Sequence, residues 1–198
     1  LEEFAAIVSH DLRNPLNVAD GRLDLYRQTG DEAHLEKIAE MHERIGDLID
    51  EVLAFAREGS RVENREWIDG RTQAQKAWNA VETAQAALVQ EWAYSIEADP
   101  RRLVRLFENC FRNAVEHAGT DVVVEVGTLD DEGGFYVQDN GTGIDPEIRG
   151  DLFERGTSTA ADGTGYGLAI VREIADAHGW SVSLADSDDG ARFEFRGV

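Results

Sequence analysis

The sequence predicts an α+β chain. An antiparallel helical hairpin over residues 1–58, suited to pairing into a dimeric four-helix bundle, is followed by an α/β sandwich over 67–198, with a linker at 59–66. Three observations predict this. Apolar residues recur at three- and four-residue steps through the first 58 positions. Beyond them, helical and strand patterns alternate with turn signals between. Of the 198 residues, 42% are hydrophobic, enough for a core and against wholesale disorder.

In the first helix Phe4, Ile7, Val8, Leu12, Leu16, Ala19 and Leu23 share a stripe; in the second, Leu35, Ile38, Ile45, Leu48, Ile49, Val52 and Phe55 do the same. Ile38, Ile45 and Val52 are seven apart, a bundle spacing. The short link around Gln28-Thr29-Gly30-Asp31 makes the two helices antiparallel neighbours. Two such helices cannot cover both stripes alone, and a homodimer of hairpins would.

After the linker, residues 71–83 read as a helix, and 87–90 with 94–97 as a strand pair. Asp99 and Pro100 form an N-cap and N1 proline for a helix running to Ala118 and ending at Gly119. Residues 121–129 and 134–139 are strands around an Asp-Asp-Glu-Gly-Gly turn. Residues 140–164 are loop-rich. A helix from about Tyr166 stops at Gly179, and residues 180–185 and 191–196 form a last hairpin. Trp67, Trp78, Trp92 and Trp180 are expected as core or domain-interface anchors. His34, His42 and His178 have no ligand-like spacing and read as packing or surface residues.

Forty Asp and Glu against 19 Lys and Arg give a formal net charge of −21. Such a surface repels nucleic acid and anionic membranes, which excludes both as main partners. A single cysteine, Cys110, excludes an intramolecular disulfide framework and a cysteine-cluster zinc site. No apolar run approaches the ~20 residues that span a bilayer. The chain starts at Leu1 without a signal-peptide pattern and reads as a piece of a longer protein, so any membrane contact is expected through an upstream region.

Four short motifs carry chemistry. In Ser9-His10-Asp11-Leu12-Arg13-Asn14-Pro15-Leu16, His10 and Asn14 share a polar face, and Asp11 can orient the imidazole or take its proton. Pro15 removes an N–H and crowds the Asp11 carbonyl, which weakens the helix beside His10. In Glu108-Asn109-Cys110-Phe111-Arg112-Asn113-Ala114, Asn109 and Asn113 share a face, and their amide oxygens are hard, neutral ligands suited to Mg²⁺; capping or core asparagines are the bland reading. In Asp139-Asn140-Gly141-Thr142-Gly143-Ile144, a carboxylate at a strand end can accept from an exocyclic amine, and glycines let backbone approach a flat ring. Gly163-Thr164-Gly165-Tyr166-Gly167-Leu168 opens a helix, where glycine-lined amides make an anion site. Neither Rossmann spacing nor a Gly-Lys-Ser/Thr loop is present.

In this order and spacing the four motifs make the chain resemble the catalytic core of sensor histidine kinases. The first resembles the phospho-acceptor box, and 64–198 resembles the ATP-binding domain of the superfamily that includes gyrase-type ATPases. The resemblance implies cytoplasmic autophosphorylation of His10 from Mg-ATP, transfer to an aspartate of a response regulator, and Asn14 positioning water for dephosphorylation of that partner. It implies Asn113 as Mg²⁺ ligand with Asn109 assisting, Asp139 on the adenine amine with Gly141, Gly143 and Ile144 shaping the base pocket, and Gly163, Thr164, Gly165, Tyr166, Gly167 and Leu168 at the phosphates. Residues 145–162 would be a lid, with Phe153-Glu154-Arg155 resembling its aromatic box. Hydrolysing members carry a glutamate one turn before the metal asparagine; here Asn109 stands there and cannot act as a base. Glu116 stands where many members carry a cation, leaving His117 or Arg155 as substitutes, although His117 equally suits a helix end exposed to solvent. A non-catalytic scaffold, or another kinase or ATPase of the superfamily, is the alternative.

Among the basic residues only Lys37 and Lys76 are lysines. An ordinary acidic domain is one reading; adaptation to high salt, where ions screen carboxylate repulsion to a few Å, is the other, and the lysine shortage favours it. The expected outcome is a melting temperature that rises between dilute buffer and multimolar salt. A melting temperature unchanged across that range removes the salt-adaptation reading.

Overall fold

The computed structural model describes residues 2–58, 62, 64–81, 83, 85–119, 121–129, 133–146, 148–153, 167–187 and 189–198; within the first two helices the side chains of 2–11, 43, 44, 47, 48 and 50–58 fall outside that description. Two compact units divide the chain, Leu1–Arg57 and Glu58–Val198.

The first unit is a helical hairpin, α1 (Glu2–Thr29) and α2 (Ala33–Glu58). The turn is held locally. Gly30 N–H donates to the Tyr26 carbonyl at 2.7 Å, and Asp31 Oδ1 accepts from Ala33 N–H at 3.1 Å, capping α2. Gly30 has φ 72°, the left-handed conformation that ends α1. Ala19 and Met41 are buried, whereas Leu16, Val18, Leu25, Leu35 and Ile49 stay 41–48% exposed. Among the described residues no helix is long and apolar enough to cross a membrane.

The second unit begins with β1 (Glu66–Asp69), whose last residue caps α3 (Gly70–Ala80) by accepting from Arg71 N–H. Then come β2 (Ala87–Glu91), β3 (Ser95–Ala98), α4 (Pro100–Ala118), β4 (Val123–Thr128), β5 (Gly134–Asp139), α5 (Gly167–His178), β6 (Ser181–Ala185) and β7 (Arg192–Arg196). The strands form a five-stranded sheet of order β2-β4-β5-β7-β6 and a separate antiparallel pair, β1-β3. Pairing is antiparallel except between β2 and β4, which run parallel.

Two expectations are corrected. Residues 87–90 and 94–97 do not pair with each other: β2 joins β4, and β3 joins β1, which begins at Glu66 within the expected linker. The cause is Trp92. Its ring is buried against Phe107 and Phe135, its indole N–H donates to the Tyr94 carbonyl, and a Cβ at Gly70 would lie 2.1 Å from it. Burying that side chain turns the backbone away before a hairpin can close. Trp67, by contrast, lies outside the core of its unit, at 74% exposure on the outward side of β1. Trp180 is buried, and Trp78 meets Phe111 edge to face at 5.2 Å.

The core lies between the sheet and the helices α3, α4 and α5. Phe107 stacks on Phe111 at 5.7 Å, and Phe135 on Phe195 at 4.5 Å, all fully buried. Truncating one such ring typically costs ~3–5 kcal/mol, against ~0–1 for an exposed ion pair such as Arg27–Asp24, so the aromatics dominate stability.

His178 has the packing role expected of it. Buried in the last turn of α5, it stacks on Trp180 at 4.3 Å; its Nε2 accepts from Asp99 N–H at 3.0 Å, so Nδ1 carries the hydrogen and donates to the Ile174 carbonyl at 2.8 Å. The imidazole thereby ties the end of α5 to the cap of α4. Burial holds its pKa below the usual histidine value, and Arg65 and Arg102 push the same way against the Ile174 carbonyl and Asp99. Below about pH 6.5 the unfolded chain takes up a proton that the folded one refuses, so this stability is present at neutral pH and lost as pH falls from there toward the folded pKa. The melting temperature is expected to fall on acidification from pH 7.5 to 5.5, and less steeply in His178→Gln. Equal slopes in the two proteins would contradict this role.

Candidate nucleotide site

Asp139 ends β5 and stays buried because strand alternation puts it on the same face as Phe135 and Val137. Its Oδ1 accepts two backbone N–H bonds, from Gly141 at 2.9 Å and Ala191 at 3.2 Å, while its own N–H donates to the Ala191 carbonyl at 3.0 Å. Among the described residues nothing reaches Oδ2. Asn140 locks the strand end from the other side: its N–H donates to the Val123 carbonyl, and its Oδ1 accepts from Val123 N–H at 2.8 Å. The result is a buried carboxylate whose Oδ1 is held by two backbone amides.

The glycines beside it are close-packed. A Cβ on Gly141 would stand 2.3 Å from the Ala118 Cβ at the end of α4, and one on Gly143 3.2 Å from the Gly190 carbonyl. Ile144 is half-buried, and its carbonyl accepts from Arg149 Nε at 3.3 Å; Arg149 Nη1 also meets Asp186 at 2.9 Å. Phe153 packs edge to face on Phe193 of β7 at 6.1 Å.

On α4, Asn109 is buried and Asn113 half-buried. Asn109 Nδ2 donates to the Arg105 carbonyl at 2.8 Å, and its Oδ1 would stand 3.5 Å from a Cβ at Gly167, the first residue of α5. One residue before it, burial raises the Glu108 carboxyl from its ordinary value, against the pull of Arg105 and Arg112. His117 is exposed in the last turn of α4. Leu168 is buried in the first turn of α5.

The structure thus brings together Asp139, Gly141 and the end of α4, and Asn109 with Gly167. Arg155, Gly163, Thr164, Gly165 and Tyr166 lie outside the described residues. Asn14 is exposed on α1, while the side chains of His10 and Asp11, in the same helix, lie outside the described residues. Sequence reasoning missed Asn140, Arg149 and the Gly190-Ala191 turn. The turn itself was legible from Ser187-Asp188-Asp189-Gly190, but its place against Asp139 depends on the β5–β7 pairing across some fifty residues.

The second unit thus follows a helical hairpin and places a strand-end carboxylate, two helix asparagines and a helix that opens on Gly167 in one domain. Residues 98–196 match the family of histidine kinase-, DNA gyrase B- and HSP90-like ATPases, and residues 1–61 match the His kinase A (phospho-acceptor) domain. The chain belongs to the histidine kinase family. It is 30% identical over 218 residues to the probable sensor histidine kinase TcrY of Mycobacterium tuberculosis, covering 99% of this chain and 45% of that one. It is 31% identical over 214 residues to sensor histidine kinase ZraS of Klebsiella oxytoca, covering 98% and 45%. The chain spans about 45% of the length of these curated relatives. Full-length ShkA, solved with AMPPNP, is similar at 27% identity and a TM-score of 0.66, over 98% of this chain and 45% of that one. Histidine kinase AdeS of Acinetobacter baumannii shares the fold, with a TM-score of 0.76 at 20% identity over 94% and 96% of the two chains.

Proposed function

We propose that this chain is the catalytic core of a sensor histidine kinase working in the cytoplasm. His10 takes the γ-phosphoryl group of ATP and passes it to an aspartate on the receiver domain of a response regulator. The observation that carries the reading is the buried Asp139 carboxylate at the end of β5, with Oδ1 held by two backbone amides, which leaves Oδ2 as the acceptor for a ligand. An exocyclic amine such as that of adenine donates to it; a carbonyl at the same ring position would meet an unfavourable acceptor.

A His10 ring nitrogen attacks the γ-phosphorus, the bond to the β–γ bridging oxygen breaks, and ADP leaves with the electron pair. The imidazole proton passes to Asp11. Asn14, one turn along α1, positions water for the reverse duty of dephosphorylating the regulator. Positioning and charge neutralisation, more than covalent work by the protein, drive such a transfer. The donor set fits magnesium: amide oxygens of Asn113 and Asn109 are hard and neutral, and among the described residues no cluster of three His, Cys, Asp or Glu competes. Magnesium, when bound, supplies neutralisation of the phosphate charge. Gly163, Gly165 and Gly167 present amides to the phosphates, and His117 or Arg155 supplies the cation that Glu116 does not.

Leu16, Leu25, Leu35 and Ile49, still exposed on one hairpin, support a homodimer that buries them in a four-helix bundle. The linker ahead of β1 serves as the hinge that brings His10 to the nucleotide.

His10→Gln is expected to abolish acid-labile labelling from γ-labelled ATP while nucleotide binding stays within about twofold of the parent chain. Label persisting on that variant would remove His10 as the acceptor.

A further inference from the structure

The β6–β7 turn meets the candidate base site at several points. Ala191 N–H holds Asp139 Oδ1, and the Ala191 carbonyl holds the Asp139 N–H. The Asp189 carbonyl and Ser187 Oγ accept from the Gln138 side chain at 3.3 and 3.2 Å. Asp186 holds Arg149, which also grips the Ile144 carbonyl. The Gly190 carbonyl lies under Gly143. Gly190 itself has φ 68°, and a Cβ there would stand 2.0 Å from the Asp139 carbonyl oxygen and 2.4 Å from Oδ1. The first is backbone and cannot yield without moving the strand end; the second ends a short side chain that two backbone amides hold in place. Any side chain at 190 therefore displaces the strand end or rotates the carboxylate.

We infer that Gly190 is a positioning residue for base selectivity: the absence of a side chain lets the Ala191 amide clamp Asp139 Oδ1, so that Oδ2 faces the base as a single fixed acceptor. The inference rests on the nucleotide reading above. A carboxylate free to rotate would offer either oxygen, or meet a ring acceptor through water, and would discriminate poorly. A carboxylate with Oδ1 saturated can only take a donor, which selects an amino-purine over a purine with hydrogen or carbonyl at that position.

The test compares binding of ATP and of purine riboside triphosphate, which lacks the amino group, to the parent chain and to variants. The parent is expected to prefer ATP by roughly tenfold or more, the value of one hydrogen bond to a charged acceptor. Gly190→Ala is expected to bring the ratio close to one. Gly190→Asn carries the same Cβ with a residue that tolerates the left-handed conformation, so it separates the clash from backbone strain and is expected to lose the ratio as well. Gly133→Ala is the control, with φ 66° in an exposed turn and no atom nearer than 3.9 Å to the new Cβ: it bears the strain and keeps the ratio. A parent-like ratio in both Gly190 variants overturns the role of Gly190 and leaves the nucleotide reading standing. A parent chain that binds neither compound, or binds both equally, overturns the nucleotide reading and this inference with it.

Discussion

The stacking of Phe135 on Phe195 fixes more of this molecule than any single hydrogen bond. It locks the register of β5 against β7 in the sheet interior. Side chains alternate along a strand, so anchoring Phe135 and Val137 in the core sends Asp139 to the same buried face at the strand end. A slip of one residue would put Gln138 there and Asp139 on the outer face. A buried carboxylate costs several kcal/mol unless its oxygens are paired, and the backbone amides of Gly141 and Ala191 pair one of them. Hydrophobic packing thus determines where the Asp139 carboxylate sits, although on the proposed reading it supplies none of the ligand chemistry.

The same logic reconciles a net charge of −21 with a polyanionic ligand. Attraction at the scale of a phosphate is set within a few Å by oriented amides, a helix N-terminus and a bound cation, not by the summed surface charge. The first residue of α5, Gly167, faces the Asn109 amide oxygen without a side chain between them. Distant carboxylates act through water and salt, and they weaken with ionic strength while the short contacts persist. A long phosphate lattice would have to meet the acidic surface itself, whereas on the proposed reading a mononucleotide meets only a local site.

Much of the second unit was legible because its signals are local. Asp99 caps α4 and accepts from Arg101 and Arg102 N–H, Pro100 opens the helix, and Gly119 ends it, as the sequence indicates. Strand β5 runs over the expected residues 134–139, and Gly179 follows α5 with φ 80°. What was illegible depends on distant partners. Four residues, Glu66-Trp67-Ile68-Asp69, carry no periodicity, and they become a strand because Ile68 sits beside Ile96 in the β1–β3 register. The apparent hairpin of β2 and β3 fails because Trp92 is worth more in the core than as a turn residue. Within the site, the motif residues announced themselves, but the amides that immobilise Asp139 do not depend on side-chain identity. Only the lack of a side chain at Gly190 could have pointed to them, and a turn glycine is too common to read alone.

The first unit poses the opposite problem, a local defect inside a regular element. Helix α1 runs unbroken from Glu2 to Thr29 through Pro15. An internal proline costs ~3 kcal/mol and leaves the carbonyl four residues back without its helical partner. That carbonyl belongs to Asp11, next to His10. Pro15 is buried, so packing within the hairpin offsets part of the cost and keeps the helix intact. On the proposed reading His10 must meet two partners of different shape, a nucleotide and then an aspartate on another protein. A turn with one hydrogen bond missing deforms at lower cost than an intact one, and the deformation falls on the residues that have to reorient. A rigid helix would present His10 in a single pose suited to one partner only. On that reading the proline places the compliance about one turn from the phospho-accepting nitrogen and leaves the remainder of the hairpin to hold the proposed dimer.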